Sequence, residues 1–108
     1  MKVPGEWKPA DATTRIRTCA ASDDLDLDVT DHAREQMRER DIIMGDLLFL
    51  LKTGFVYDAP VRATREGYFR YAVEGATPSS DGRSLRAIVI PSGGCELKIV
   101  TVMWRDER

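Results

Sequence analysis

The pattern of apolar and polar residues in the middle of the chain predicts two consecutive helices. Ala33 and Met37 lie four positions apart among charged neighbours, which is typical of a short amphipathic helix, and Thr30 is placed to cap its start. Residues 47–51, LLFLL, are apolar on every side. They predict a second helix that is buried or covered by a sheet, and Gly54 is expected to end it in the left-handed conformation.

Two further elements are predicted ahead of this pair. The segment from Pro9 to Ala21 suits a short helix, because proline stands in its first turn and Ala12, Ile16 and Ala20 fall on one line. Residues 25–29, LDLDV, alternate strictly, which predicts a strand with apolar residues on one face and aspartates on the other. Aspartates on an outer strand would also discourage pairing with other chains.

After the helices the period of the pattern changes to two, which is typical of strands. Strands are predicted at residues 55–58, 68–74, 85–90 and 96–104, with a polar loop at 62–67. The alternation directs Phe69, Tyr71 and Val73 inward. Residues 85–90, LRAIVI, are almost continuously apolar and predict a central strand covered on both faces.

These elements together predict a single α+β domain. Two central helices are expected to pack on one face of a three- to four-stranded antiparallel sheet, in the order β-α-α-β-β-β, with LLFLL covering the sheet. The N-terminal arm and short helix are assigned to residues 1–24, and the α+β domain to residues 25–108.

The last predicted strand carries Met103 and Trp104 on opposite faces. If this strand forms an edge of the sheet, a large apolar side chain stays exposed, which favours a homodimer or the capture of a partner segment. The alternative is a monomer in which the N-terminal helix and Trp7 cover this surface.

The composition indicates an ordinary globular protein. The 108 residues suit one domain, and 43% are hydrophobic and 31% charged. No apolar run approaches the roughly 20 residues of a membrane helix, and the N-terminus lacks an apolar signal segment, so we expect a cytoplasmic protein with no membrane contact. Cys19 and Cys95 are then expected to be free thiols. With one histidine and no CxxC motif, a zinc site is not expected. No P-loop, dinucleotide fingerprint or EF-hand is found in the sequence, so no other metal or cofactor is expected either.

The formal charge of −2 is unevenly distributed. Residues 1–29 carry four basic and six acidic groups, whereas residues 62–105 carry seven basic and four acidic groups. This bias permits the predicted sheet to contact phosphates, although a duplex-binding protein is usually far more basic. The alternative is a solvated sheet face.

Two groups of side chains could carry chemistry. His32 lies in the first turn of its helix, where the positive potential favours a neutral imidazole that can accept a proton; a packing or hydrogen-bonding role is the alternative. Tyr68, Arg70, Arg86 and Lys98 point outward on the predicted strands and could gather on one surface suited to phosphates and bases.

Several of these segments resemble a known family. HAREQMRER followed by I-x-x-x-D, a helix ending in Gly54, and then YFRYAVEG, LRAIVIP and LKIVTVMW are similar to the bacterial domain-of-unknown-function family 4258 over about residues 25–104. The residues that match its helical pattern are His32, Ala33, Met37, Arg40 and Ile42. Gln36 stands where the family pattern has arginine, and Met44 where a serine or threonine would cap the second helix.

The order of elements resembles that of the RelE/ParE toxins, which implies two classes of function. One is a metal-independent endoribonuclease acting on mRNA, in which a tyrosine or histidine takes a proton from a ribose 2′-hydroxyl while cations hold the phosphate. The other is a non-catalytic module that binds protein or nucleic acid through the same sheet. The implied partners are RNA or the ribosome, an antitoxin, or a second copy of the chain. The candidate residues are the catalytic His32, Tyr68 and Arg86 and the RNA-binding Arg40, Arg70 and Lys98.

Overall fold

Three helices lie within residues 6–107, the part of the chain that this computed structural model describes. They are α1 (Pro9–Ala20), α2 (Asp31–Glu39) and α3 (Met44–Thr53). Pro9 begins α1. Proline lacks a backbone N–H, and at the first position of a helix that group would have no hydrogen-bond acceptor within the helix. The Thr30 hydroxyl accepts a hydrogen bond from the Ala33 N–H at 3.1 Å, which confirms the predicted cap of α2. Among the described residues, no helix has the length and apolar character needed to cross a membrane.

Six strands in the same part of the chain form one mixed sheet. They are β1 (Asp26–Val29), β2 (Phe55–Val56), β3 (Val61–Arg62), β4 (Phe69–Ala76), β5 (Ser84–Pro91) and β6 (Glu96–Trp104). Their order is β1-β6-β5-β4-β2, and β3 also pairs with β4. The α+β class is therefore confirmed, and β4, β5 and β6 form the predicted antiparallel meander.

The first strand departs from the antiparallel prediction, because β1 runs parallel to β6. Its own alternation specifies which residues face the core but carries no information about the direction of its neighbour. As a result β6 lies between β1 and β5, and the prediction that the last strand could form an exposed edge is wrong. Trp104 is partly buried against the core, with the Arg83 guanidinium 4.3 Å from its ring centroid.

The three helices cover one face of the sheet. α2 packs on β6, α3 packs on β4, and α1 packs against α3 and β2. Leu47, Leu50 and Leu51 of α3 are fully buried, and so are Tyr71 and Val73 of β4, which confirms their predicted place in the core. Phe69 is half-buried and Phe49 is 40% exposed, so these two aromatic residues lie at the margins of the core.

Gly54 follows α3 but does not adopt the predicted left-handed conformation. Its φ is −73° and its ψ is 175°, which is extended backbone. A Cβ atom at this position would lie 2.7 Å from the Leu50 carbonyl oxygen and 2.8 Å from a Val73 methyl carbon. Glycine is needed here because the chain passes close to β4 as it leaves the helix.

Cys19 and Cys95 form a disulfide, so the expectation of free thiols is wrong. Their Cα atoms are 5.0 Å apart although 76 positions separate the residues in sequence. Cys19 lies in the last turn of α1, and Cys95 lies in the turn between β5 and β6. The pairing arises because the packing of α1 on the domain brings its C-terminus to that turn.

The opposite face of the sheet, called the open face below, carries no helix from the described residues. On β5 the buried residues Leu85, Ala87 and Val89 alternate with the half-buried Arg86, Ile88 and Ile90. The prediction that this strand is covered on both faces is therefore wrong. Strand pairing sets three rows across the open face: Glu74, Arg86 and Met103; Ala72, Ile88 and Thr101; and Ile90, Lys98 and Asp28.

Candidate functional site

Two adjoining depressions lie on the open face in the described part of the chain. The larger has a volume of about 520 Å³, the smaller has a volume of about 310 Å³, and Arg70 lines both. Ile90 and Val100 supply apolar surface in the larger depression, and Ala72 and Ile88 do so in the smaller. We call the two depressions together the sheet groove. It is a shallow concave surface with an apolar floor, which is a common form for a binding site.

Three cations line the larger depression: Arg65, Arg70 and Lys98. Among residues 6–107, none of them forms an ion pair with a carboxylate. Asp28 and Glu96 line the same depression, and Asp28 is the cross-strand neighbour of Lys98. The depression therefore combines an excess of positive charge with two hydrogen-bond acceptors.

The loop between β3 and β4 brings Arg65 and Tyr68 together. The Ala63 N–H donates to the Tyr68 carbonyl at 2.9 Å, and the Tyr68 N–H donates to the Arg65 carbonyl at 3.3 Å. Gly67 has a φ of +86°, which glycine adopts without strain. The Arg65 guanidinium lies 4.7 Å from the Tyr68 ring centroid, in the range of a cation–π contact. The half-buried phenol ring is thus held beside a cation within the larger depression.

Arg86 lines the smaller depression and is partly neutralised there. Its Nε lies 3.6 Å from a carboxylate oxygen of Glu74, whose other oxygen accepts a hydrogen bond from Arg105 Nε at 2.9 Å. The side chain of Glu74 is only 10% exposed. One buried carboxylate therefore compensates two arginines, and less of the Arg86 charge is available to an anion than that of Arg70.

Arg40 lies away from the groove, at the end of α2. Its Nε donates to both carboxylate oxygens of Glu107 at 2.8 Å, and one Nη donates to the Gln36 carbonyl at 3.2 Å. The hydrogen bond from Arg40 lowers the pKa of the Glu107 carboxyl to about 2. These contacts fasten the C-terminal segment to α2, so the arginine that was expected to bind phosphate is engaged within the protein.

His32 is exposed on the first turn of α2 and lines neither depression. The helix directs Ala33, Gln36 and Met37 at the covered face of the sheet, whereas the groove lies on the open face. The structure thus gathers four of the six candidate residues, Tyr68, Arg70, Arg86 and Lys98, along the groove. It does not bring His32 or Arg40 to them.

A family model described as "Domain of unknown function (DUF4258)" matches residues 29–104. This range covers most of the chain, from the last residue of β1 to the end of β6. The chain belongs to the DUF4258 family. No curated protein and no solved structure matches it, so the expected fold similarity to RelE/ParE toxins is not confirmed.

The glutamine that departs from the expected DUF4258 pattern has a structural role. Gln36 is buried, and its side-chain carbonyl accepts a hydrogen bond from the Val102 N–H at 2.9 Å. Val102 follows an irregularity in the pairing of β5 with β6, where Val100 is the extra residue. An uncharged amide suits this buried position better than the expected arginine would, because a buried guanidinium needs a partner for its charge.

One cation of the groove, Arg65, was missed in the sequence of this DUF4258 protein, and so were the acidic Asp28 and Glu96. Arg65 lies in the segment that was predicted to be a polar loop, and nothing in its spacing joins it to the strands. The available signal was the turn formed by Glu66 and Gly67, which reverses the chain and returns Arg65 to the side of Tyr68. Recognising that turn as part of the site requires knowledge of which strand lies beside it.

Proposed function

We propose that the sheet groove of this DUF4258 protein binds a single-stranded segment of RNA. The observation that carries the proposal is the group of three cations without carboxylate partners among the described residues, Arg65, Arg70 and Lys98, around Tyr68 and above an apolar floor. Cations with free donors bind phosphate oxygens, and aromatic and apolar side chains take the faces of bases.

The mixed lining favours a single strand over a duplex. Asp28 and Glu96 can accept hydrogen bonds from amino groups on the Watson–Crick edges of bases, which only an unpaired strand presents freely. They would also repel the continuous phosphate rows of a duplex. Because few cations take part and the chain carries a net charge of −2, we expect moderate affinity that falls with salt.

A cytoplasmic setting goes with this proposal, because RNA and ribosomes are found there. The partners proposed with it are mRNA, alone or on the ribosome, and an antitoxin or a second copy of the chain that would cover the groove when the protein is not bound to RNA.

The test is the affinity of the purified protein for a fluorescently labelled single-stranded RNA of about 12 nucleotides, measured by anisotropy. Replacing Arg70 or Lys98 with alanine is expected to weaken binding about tenfold or more, because each substitution removes a charge-assisted hydrogen bond. Each is also expected to reduce the slope of log affinity against log salt by about 0.7.

The matched control is Arg38→Ala, which removes the same charge from an exposed position on α2 away from the groove. It is expected to bind RNA nearly as well as the unchanged protein. If Arg38→Ala and Arg70→Ala lose equal affinity for RNA, the effect comes from net charge alone, which would contradict a binding site in the groove.

A second candidate function is metal-independent cleavage of the bound RNA. It is favoured by the position of the Tyr68 phenol in the same depression as Arg65, Arg70 and Lys98. In this version Tyr68 reacts as its phenolate and takes the proton of a ribose 2′-hydroxyl, and the 2′-oxygen attacks the adjacent phosphorus. The bond from phosphorus to the 5′-oxygen breaks, and that oxygen takes a proton from water. The cations stabilise the charge that develops on the phosphate oxygens.

Cleavage is tested separately from binding with RNA labelled at its 5′ end. We expect Tyr68→Phe to lose about 100-fold or more in cleavage rate while keeping its affinity, because the ring stays and only the hydroxyl is removed. His32→Ala is the matched control and is expected to cleave normally, since His32 does not line the groove. If the unchanged protein binds the RNA but produces no new RNA ends, cleavage is contradicted and only the binding function remains.

A further inference from the structure

Two aromatic side chains near the sheet groove remain exposed in the folded protein. Phe55 is 49% exposed and Tyr57 is 64% exposed. Their ring centroids are 5.9 Å apart and their planes are inclined by 33°. Neither residue belongs to the core, so burial during folding does not explain the presence of two adjacent aromatic rings here.

The pair lies at the β2 edge of the open face, next to the smaller depression. Phe55 is the cross-strand partner of Glu74, which places it in the row that contains Arg86. The chain continues from Tyr57 into Asp58 and Ala59, and both of these residues line the smaller depression. The aromatic pair thus extends the path that starts in the larger depression and passes Arg70.

Arg17 places a cation beside the Phe55 ring. Its guanidinium carbon lies 4.4 Å from the Phe55 ring centroid, and it is held there by hydrogen bonds to the Gly54 carbonyl at 2.9 Å and the Thr53 carbonyl at 2.6 Å. Among the described residues, no carboxylate forms an ion pair with Arg17. The β2 end of the path therefore has two aromatic rings and one cation, and the larger depression at the other end has three cations. This arrangement complements a nucleic-acid strand, which carries both bases and negative charges.

We infer that Phe55 and Tyr57 form a stacking platform for the bases of a single RNA strand whose phosphates lie at Arg70 and Lys98. The inference rests on the proposed function and adds the path that the RNA follows across the sheet, between β6 and β2. Stacking accepts every base, so the platform adds affinity without strong sequence preference. It also excludes duplexes, because the faces of paired bases are covered by their neighbours.

The test uses the same RNA of about 12 nucleotides and a second oligomer of equal length that has the ribose phosphate backbone but no bases. Tyr57→Ala is expected to weaken binding of the RNA about tenfold and to leave binding of the abasic oligomer unchanged. Phe55→Ala is expected to act in the same way. Tyr57→Phe keeps the ring and is expected to bind as the unchanged protein does.

Phe49→Ala is the matched control, because it removes a ring of similar exposure from α3, on the other side of the sheet. It is expected to change neither affinity, and thermal unfolding of each variant checks that the fold is intact. If the unchanged protein binds neither oligomer, the proposed function itself fails. If it binds RNA in an Arg70-dependent way but Tyr57→Ala and Phe55→Ala bind like the unchanged protein, or lose affinity for both oligomers equally, the stacking platform alone is overturned.

Discussion

Reducing the Cys19–Cys95 disulfide is expected to lower the free energy of unfolding by about 4–5 kcal/mol, because the bridge closes a long loop and restricts the unfolded chain. The two cysteines are 76 positions apart, and the entropy lost by the unfolded state grows with the length of the closed loop. Urea denaturation with and without reductant measures the difference.

The control for this prediction is the variant Cys95→Ala. It cannot form the bridge, so its stability should match that of the reduced protein and should not respond to reductant. Equal midpoints for the oxidised and reduced protein would show that the bridge does not constrain the unfolded state. The reduced protein is expected to stay folded, because Ala12, Ile16 and Ala20 bury one face of α1 independently of the bridge.

The state of the bridge in cells bears on the cytoplasmic part of the proposal. Disulfides are rare in cytosolic proteins, so a cytoplasmic protein should yield alkylated Cys19 and Cys95 when it is denatured directly from cells. An intact bridge, detected by mass spectrometry, would count against that setting without affecting the stability prediction.

The substitution Leu50→Ala is expected to destabilise the protein by about 2–5 kcal/mol, because it leaves a cavity beneath the sheet. Leu50 is fully buried on α3, and its side chain reaches the backbone of β4 at Gly75, where a Cβ atom would lie 3.4 Å from it. Measurement of the urea midpoint gives the loss.

Phe49→Ala serves as the comparison, since it truncates the neighbouring residue on the exposed side of the same helix. It should cost clearly less than Leu50→Ala, because much of its ring is already in water. A Leu50→Ala variant with an unchanged midpoint would mean that α3 does not pack into the core.

The sequence by itself determined the local elements and which of their faces are buried. The spacing of Ala12, Ile16 and Ala20 predicted α1, Thr30 predicted the start of α2, and the alternation around Tyr71 predicted the inward face of β4. These predictions succeed because the spacing of apolar residues along a helix or strand indicates which of its faces is buried. The α+β class follows from the same information, since helical and extended patterns occupy separate parts of the chain.

Only the tertiary structure decided how distant segments meet. The parallel pairing of β1 with β6, the disulfide and the ion pair of Arg40 with Glu107 each join residues that the sequence separates by more than 60 positions. The same packing decided which cations remain available. Arg40 was expected to bind RNA but is paired with Glu107, whereas Arg65, which lies in the predicted polar loop, lines the groove. Charge pairing and strand order depend on which distant surfaces come into contact, and local patterns of apolar and polar residues carry no information about those contacts.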